Sequence, residues 1–130
     1  MGTQARELPE FEADFDRLFS RAYAVARRLV GDGMAAEDVA AEALTRTYVH
    51  WRRVRAFEYR EAWVARVATN LAIKAAQRRP TAEVPVSVDP SDATTLRLAL
   101  VAALARLPRR ERDAVVLRYF ADLSIEDVAR

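Results

Sequence analysis

The chain has 130 residues, enough for one domain or two small ones, and 52% of them are hydrophobic, which excludes general disorder. It has no Cys and a single histidine, His50, which excludes disulfides, thiolate chemistry and a histidine metal centre. The net charge of +2 is unevenly spread: residues 1–50 carry −3, residues 51–79 carry +6 and residues 80–130 carry −1, so the middle segment is either a polyanion-binding surface or a solvated helix face.

The first helix is predicted from Glu10 to Val30. Phe11, Phe15, Leu18, Phe19, Ala22, Val25, Ala26 and Leu29 recur at spacings of three and four, the period of one buried face. Gly31-Asp32-Gly33 ends it, with Gly31 suited to a left-handed C-terminal cap. A second helix is predicted from Ala35 to Arg53, with Val39, Ala43, Leu44, Thr47, Tyr48 and Trp51 on its apolar side. Glu37 and Asp38 fall in its first turn, where carboxylates complement the helix dipole.

Val54 to Tyr59 reads as a loop. A third helix is predicted from Arg60 to Arg79 on Trp63, Val64, Val67, Ala68, Leu71 and Ala75, and Pro80 stops it. Residues 80–92, spaced by Pro80, Pro85 and Pro90, read as a linker. Thr94 to Leu107 then carries Leu96, Leu100, Val101, Leu104 and Leu107 in helical register. Pro108 breaks that helix and can open the next, Arg109 to Ala121, whose buried side is Ala114, Val115, Leu117 and, at its end, Phe120. Ser124 and Asp127 form a capping box ahead of Ile125, Val128 and Ala129, which is how the first helix of a helix-turn-helix begins. A recognition helix would have to lie beyond residue 130.

No apolar run approaches the ~20 residues of a membrane span, and Met1 to Glu7 lacks the apolar core of a signal peptide. A cytoplasmic protein without a membrane partner is the expectation. No nucleophile–base pair, metal cluster or Gly-rich phosphate loop supports an enzyme, so no catalytic residue, metal or cofactor is expected.

Ala36-Glu37-Asp38-Val39-Ala40-Ala41-Glu42, Trp63-Val64-Ala65-Arg66-Val67-Ala68-Thr69-Asn70-Leu71-Ala72-Ile73 and Arg78-Arg79 together resemble the second domain of an extracytoplasmic-function (group IV) sigma factor of bacterial RNA polymerase. Ala103-Leu104-Ala105-Arg106-Leu107-Pro108-Arg109-Arg110-Glu111-Arg112-Asp113-Ala114-Val115-Val116-Leu117-Arg118-Tyr119-Phe120 resembles the start of the fourth sigma domain. The resemblance covers most of the chain from about residue 10. It implies an all-α chain with a second sigma domain over 1–79, a linker over 80–92 and an incomplete fourth domain over 93–130. It also implies a non-enzymatic subunit that directs core RNA polymerase to promoters and assists opening of the minus-ten element. The alternative is another helical DNA-binding regulator whose helix-turn-helix is cut short. Such a regulator would read duplex DNA, so a preference for single strands separates the two.

The resemblance assigns polymerase docking, on the beta-prime clamp helices, to the second helix through Glu37, Asp38, Glu42 and Arg46. Asp38 and Glu42 are four apart and share a face. The bland reading of Glu37 and Asp38 is dipole complementarity. The family usually has Gln at the position of Ala41, an amide contact that this chain lacks. The start of the fourth domain offers a scaffold for the beta flap. An anti-sigma factor on the polymerase-facing surfaces is a family expectation.

The DNA-binding residues so implied are Arg55, Phe57, Arg66, Asn70, Lys74, Arg78 and Arg79, facing the non-template strand of the minus-ten element. Asn70 is a poor helix former beside an apolar stripe. It either braces the preceding loop, shapes a pocket for a flipped base, or does both. Phe57 or Tyr59 can stack on a base, or Phe57 can plug the core. Trp63 reads as core. Arg66, Asn70 and Lys74 line one helical face, with the arginines and Lys74 as phosphate contacts. Arg52 and Arg53 widen the basic surface toward DNA or polymerase. The family often has Asp where this chain has Lys74.

Overall fold

The computed structural model describes residues 2–78 and 93–119, with side chains from 8–78 and 94–118. It contains six helices and, among the described residues, no strand. They are α1 (Gly2–Val30), α2 (Gly33–Val49), α3 (Trp51–Val54), α4 (Arg60–Arg78), α5 (Ala93–Arg106) and α6 (Arg109–Tyr119). The linker 80–92, Arg79, Phe120 and the Ser124 helix lie outside the described residues.

Helices α1, α2 and α4 form a three-helix body. Leu18, Ala22, Val25, Ala26 and Leu29 of α1 are fully buried, as the period of three and four predicts. Phe15 stays 38% exposed, at the rim. An edge-on aromatic cluster ties α1 to the next two helices: Phe11 lies 5.1 Å from Tyr48 and 5.3 Å from Trp51, centroid to centroid. Helix α1 begins before Glu10 and contains Pro9. At its other end Gly31 adopts φ +76°, the left-handed cap. The Gly31 N–H donates to the Arg27 carbonyl at 3.1 Å, and the Arg27 guanidinium donates to the Gly31 carbonyl.

Asp32 caps α2, its carboxylate accepting from the Met34 N–H at 3.2 Å. The helix therefore starts at Gly33, and Glu37 and Asp38 sit beyond its first turn. This corrects the dipole reading of those two carboxylates, because Asp32 already does that work. The predicted single helix over residues 35–53 is also split. His50, at φ −101° and ψ 21°, leaves the helical region and ends α2, while its carbonyl accepts from Arg53 and Val54 at 3.0 Å to start α3. The bend lets both Trp51 and Val54 turn inward, 1% and 0% exposed.

Helix α4 is the centre of the molecule, contacting α1, α2, α5 and α6. Its buried face is mostly small: Ala62, Val64, Ala65, Ala68, Thr69, Ala72 and Ile73. Val64 and Ala68 of the predicted stripe are fully buried, while Trp63, Val67, Leu71 and Ala75 are only partly so. The buried hydroxyls of Thr47 and Thr69 donate to the carbonyls of Ala43 and Ala65, each at 2.7 Å, so neither is left unpaired.

Helices α5 and α6 are joined by Leu107 and Pro108, and the Pro108 carbonyl accepts from the Arg112 N–H at 2.9 Å. Helix α5 packs on α1 and α4, and α6 on α4, with Val101, Leu104, Val116 and Leu117 joining the same buried cluster. Ala114 and Val115, predicted inward, are half-buried, and Val116 takes their place. Leu96, placed in the predicted apolar register, is 68% exposed.

Candidate nucleic-acid interface

The loop Arg55–Tyr59 and the first two turns of α4 enclose an open cleft of about 370 Å³. Its walls are Arg53, Phe57, Glu58, Tyr59, Ala62, Trp63 and Arg66. Aromatic rings, two guanidiniums and a carboxylate thus converge on a space of the size that a small organic group needs. Phe57 is 38% exposed and faces the cleft, so it is no core plug. Trp63, predicted as core, is half-buried and contributes to the cleft wall, with its ring 5.9 Å from that of His50.

The loop is fixed from behind. Arg55 pairs with Glu10 at 2.8 Å, across to α1. Arg60 donates to the Arg55 carbonyl at 2.8 Å, pairs with Asp14, and lies 5.2 Å from the Trp51 ring centroid. Arg17 pairs with Glu61 and, at 3.2 Å, with Asp14. Acidic residues of α1 therefore hold arginines around the cleft in place. Arg55, expected among the DNA contacts, belongs to this brace, because its guanidinium is turned to Glu10.

Along α4, Arg66 lies at the cleft and Asn70 one turn beyond it, followed by exposed Lys74. Arg78 does not continue this line. Each step of four residues rotates about 40°, so three steps carry Arg78 to another side. There it borders a shallow groove of about 220 Å³ between α2 and α4, with Asp38, Val39, Glu42, Leu71 and Ala75. Its Nε donates to the Lys74 carbonyl at 3.3 Å.

Glu37, Asp38, Glu42 and Arg46 are all exposed on α2. Glu42 and Arg46 pair at 3.0 Å, side by side on the surface. The carboxylate row is thus open, with Asp38 and Glu42 at the edge of the α2–α4 groove.

Asn70 has a partner that the sequence did not signal. Its Oδ1 accepts a hydrogen bond from the Arg112 guanidinium of α6. Beside Arg112, Asp113 lies in the electrostatic field of Arg66, Arg109 and Arg112. Burial nevertheless raises its carboxyl above the ordinary value, with those three cations only offsetting the effect. Of the other cleft residues, Arg53 was expected on the basic surface, whereas Trp63 was expected in the core and its bulk gave no signal of a place in the cleft wall. No group of His, Asp and Glu suited to a metal occurs among the described residues. No described helix is long and apolar enough to cross a membrane.

Comparison with known proteins identifies the family. The family model for Sigma-70 region 2 matches residues 15–80, half of the chain, and that for Sigma-70 region 4 matches residues 97–130. The chain is 34% identical over 111 residues to the RNA polymerase sigma-E factor of Streptomyces coelicolor, covering 80% of this chain and 63% of that protein. It is equally similar, 34% over 111 residues, to the sigma-E factor of Streptomyces avermitilis, covering 80% of this chain and 62% of that protein. It therefore spans less than two thirds of the length of these curated relatives. With both regions matched in order on a chain whose described elements are all helices, the protein belongs to the sigma-70 family and is of the extracytoplasmic-function type.

Proposed function

We propose that the chain is a non-enzymatic initiation subunit, working in the cytoplasm, that joins core RNA polymerase and directs it to promoters. The exposed carboxylates Glu37, Asp38 and Glu42 are the docking row for the beta-prime clamp helices, where charge-assisted hydrogen bonds to arginines would form. The cleft under Phe57, Tyr59 and Trp63 takes a base from the non-template strand of the minus-ten element. Unstacking that base costs a few kcal/mol, which ring stacking of ~1–3 kcal/mol and hydrogen bonds to its edge offset. Arg66 and Lys74 then hold the adjoining phosphates, and Asn70 borders the base. Arg55 braces the loop, and Arg78 serves the α2–α4 groove.

The observation that carries this reading is the separation of two surfaces on one body. An aromatic, basic cleft opens at the start of α4, while an exposed acidic row runs along α2. The division into a unit over 1–79, a linker and a unit over 93–130 belongs to the same proposal, as do the beta flap and an anti-sigma factor as further partners.

Capture of core RNA polymerase by the chain tests it, with Asp38→Arg as the variant. Capture by the wild type, weakened about tenfold by the reversal, is the expected result. Failure of the folded wild type to capture polymerase would overturn the proposal. Undiminished capture by Asp38→Arg would move the interface off α2.

A further inference from the structure

A carboxylate in the wall of a strand-binding cleft repels phosphate, so its presence there asks for another role. The segment 51–79, strongly basic overall, holds only two acids, Glu58 and Glu61. Glu61 is engaged behind the cleft, where it pairs with Arg17 of α1. Glu58 is exposed and lines the cleft itself, in company with Phe57, Tyr59, Arg53 and Arg66. The loop that carries it is held on both sides. The Phe57 N–H donates to the Val54 carbonyl at 2.9 Å and the Ala56 N–H to the Arg53 carbonyl at 3.2 Å, while Arg60 donates to the Arg55 carbonyl at 2.8 Å. The carboxylate is thus presented from a fixed frame, which discrimination between similar bases requires.

We propose that Glu58 sets the base specificity of the cleft, selecting a base that carries an exocyclic amino group and rejecting thymine. The proposal rests on the strand-binding reading of the cleft given above. A base swung out of the stack shows its Watson–Crick edge. A carboxylate only accepts hydrogen bonds, and a guanidinium only donates them. Cytosine, adenine and guanine each offer an amino group to Glu58 and at least one acceptor to Arg53 or Arg66. Thymine has no amino group. Its single N–H lies between two carbonyl oxygens, and a carboxylate that approaches this N–H meets both oxygens as like partial charges. Glu58 therefore works as much by excluding the wrong base as by holding the right one. A carboxylate has about four lone-pair sites, so an ion pair along the wall leaves it able to accept from a base. The rings of Phe57, Tyr59 and Trp63 can stack on any base, so they supply affinity without choice.

The test uses the whole chain and two fluorescein-labelled DNA single strands of about 12 nucleotides, oligo-deoxycytidine and oligo-deoxyuridine, with binding read by anisotropy. Uracil has the edge of thymine without its methyl group, so the two strands share charge and size and differ in the donor and acceptor pattern of the base. The ratio of the two affinities is the readout, since a change of charge or a general loosening of the loop moves both strands together. Wild type is expected to favour deoxycytidine about fivefold. Glu58→Ala should bring the ratio close to one while tightening both strands, because a negative charge leaves the cleft. Glu58→Gln, whose amide both donates and accepts, should also lose most of the preference, and it carries the test if the alanine variant disturbs the loop. Equal binding of the two strands by wild type would overturn the proposal, as would a preference that survives in both variants. In either case the strand-binding reading stands. If wild type and both variants bind neither strand, that reading falls, and the role of Glu58 with it.

Discussion

Asp113 is a carboxylate held where water is scarce. Its side chain is 14% exposed, and Oδ1 is buried without a hydrogen-bond partner among the described residues. The Arg112 Nε lies 4.0 Å away, too far for a hydrogen bond and itself unpaired. Burial therefore outweighs the pull of Arg112, Arg109 and Arg66, and the carboxyl titrates above the ordinary 3.8. A raised native pKa means that the folded chain holds this proton more tightly than the unfolded chain. Stability from this group is then greatest below the unfolded value, falls as pH climbs through the native one, and is flat above it. Asp113→Asn keeps the shape and removes the charge. It is expected to raise the melting temperature by a few degrees at neutral pH, with the two chains converging below about pH 4. A variant that melts lower at neutral pH would show that attraction to Arg66 and Arg109 outweighs burial. None of this was legible in the sequence. The Asn70–Arg112 bond spans 42 residues, and no local pattern announces a partner at that distance.

At the scale of the element, α4 shows what periodicity can and cannot deliver. Its limits were legible, with Arg60 at the start and an end before Pro80. Its buried face was legible only in part: Val64 and Ala68 are buried as the spacing predicts, but bulk also favours Trp63, Val67 and Leu71 over Ala62, Ala65 and Ala72. A helix flanked by α1, α2, α5 and α6 instead turns small residues to its closest neighbours. The large rings are left for boundaries, which is why Trp63 reaches the cleft and was mistaken for core. The break at His50 escaped notice for a related reason, since apolar spacing runs on through Thr47 and Trp51 across the bend. By contrast, the spacing in α1 predicts its buried face: Leu18, Ala22, Val25, Ala26 and Leu29 are fully buried, and Phe15 alone of the stripe is as exposed as 38%. The small face of α4 leads to a direct expectation. Ala68 is fully buried, so Ala68→Leu overpacks the contact and should cost about 1–3 kcal/mol in urea denaturation. Gln77→Leu, at an exposed position of the same helix, should stay within about 0.5 kcal/mol of wild type. Equal stability of the two variants would mean that α4 is more loosely packed than its burial indicates.

Across the whole molecule, the buried apolar side chains are unequally shared. Among the described residues, α5 and α6 supply only Val101, Leu104, Val116 and Leu117, while α1, α2, α3 and α4 supply the rest of the cluster. The three-helix body thus keeps most of its core without α5 and α6, but those two helices alone retain little. Their polar seat is also imperfect, with Arg112 Nε and Asp113 Oδ1 unpaired. Release of α5 and α6 should therefore cost less than global unfolding. Native-state hydrogen exchange measures this difference. Amides in the middle of α5 and α6 are expected to exchange through a cheaper opening than those around Ala22 to Leu29 and Ala65 to Ala72. Leu117→Ala removes a fully buried side chain from the seat of α6 and should cost roughly 2–4 kcal/mol. That cost falls on the packed state, so it should lower the protection of α5 and α6 while leaving that of Ala22 to Leu29 nearly unchanged. Uniform protection across all the long helices would mean that the chain opens only as a single unit. In that case the few buried side chains of α5 and α6 would be coupled to the core of α1 and α4 as tightly as that core is to itself, and their smaller number would confer no separate opening.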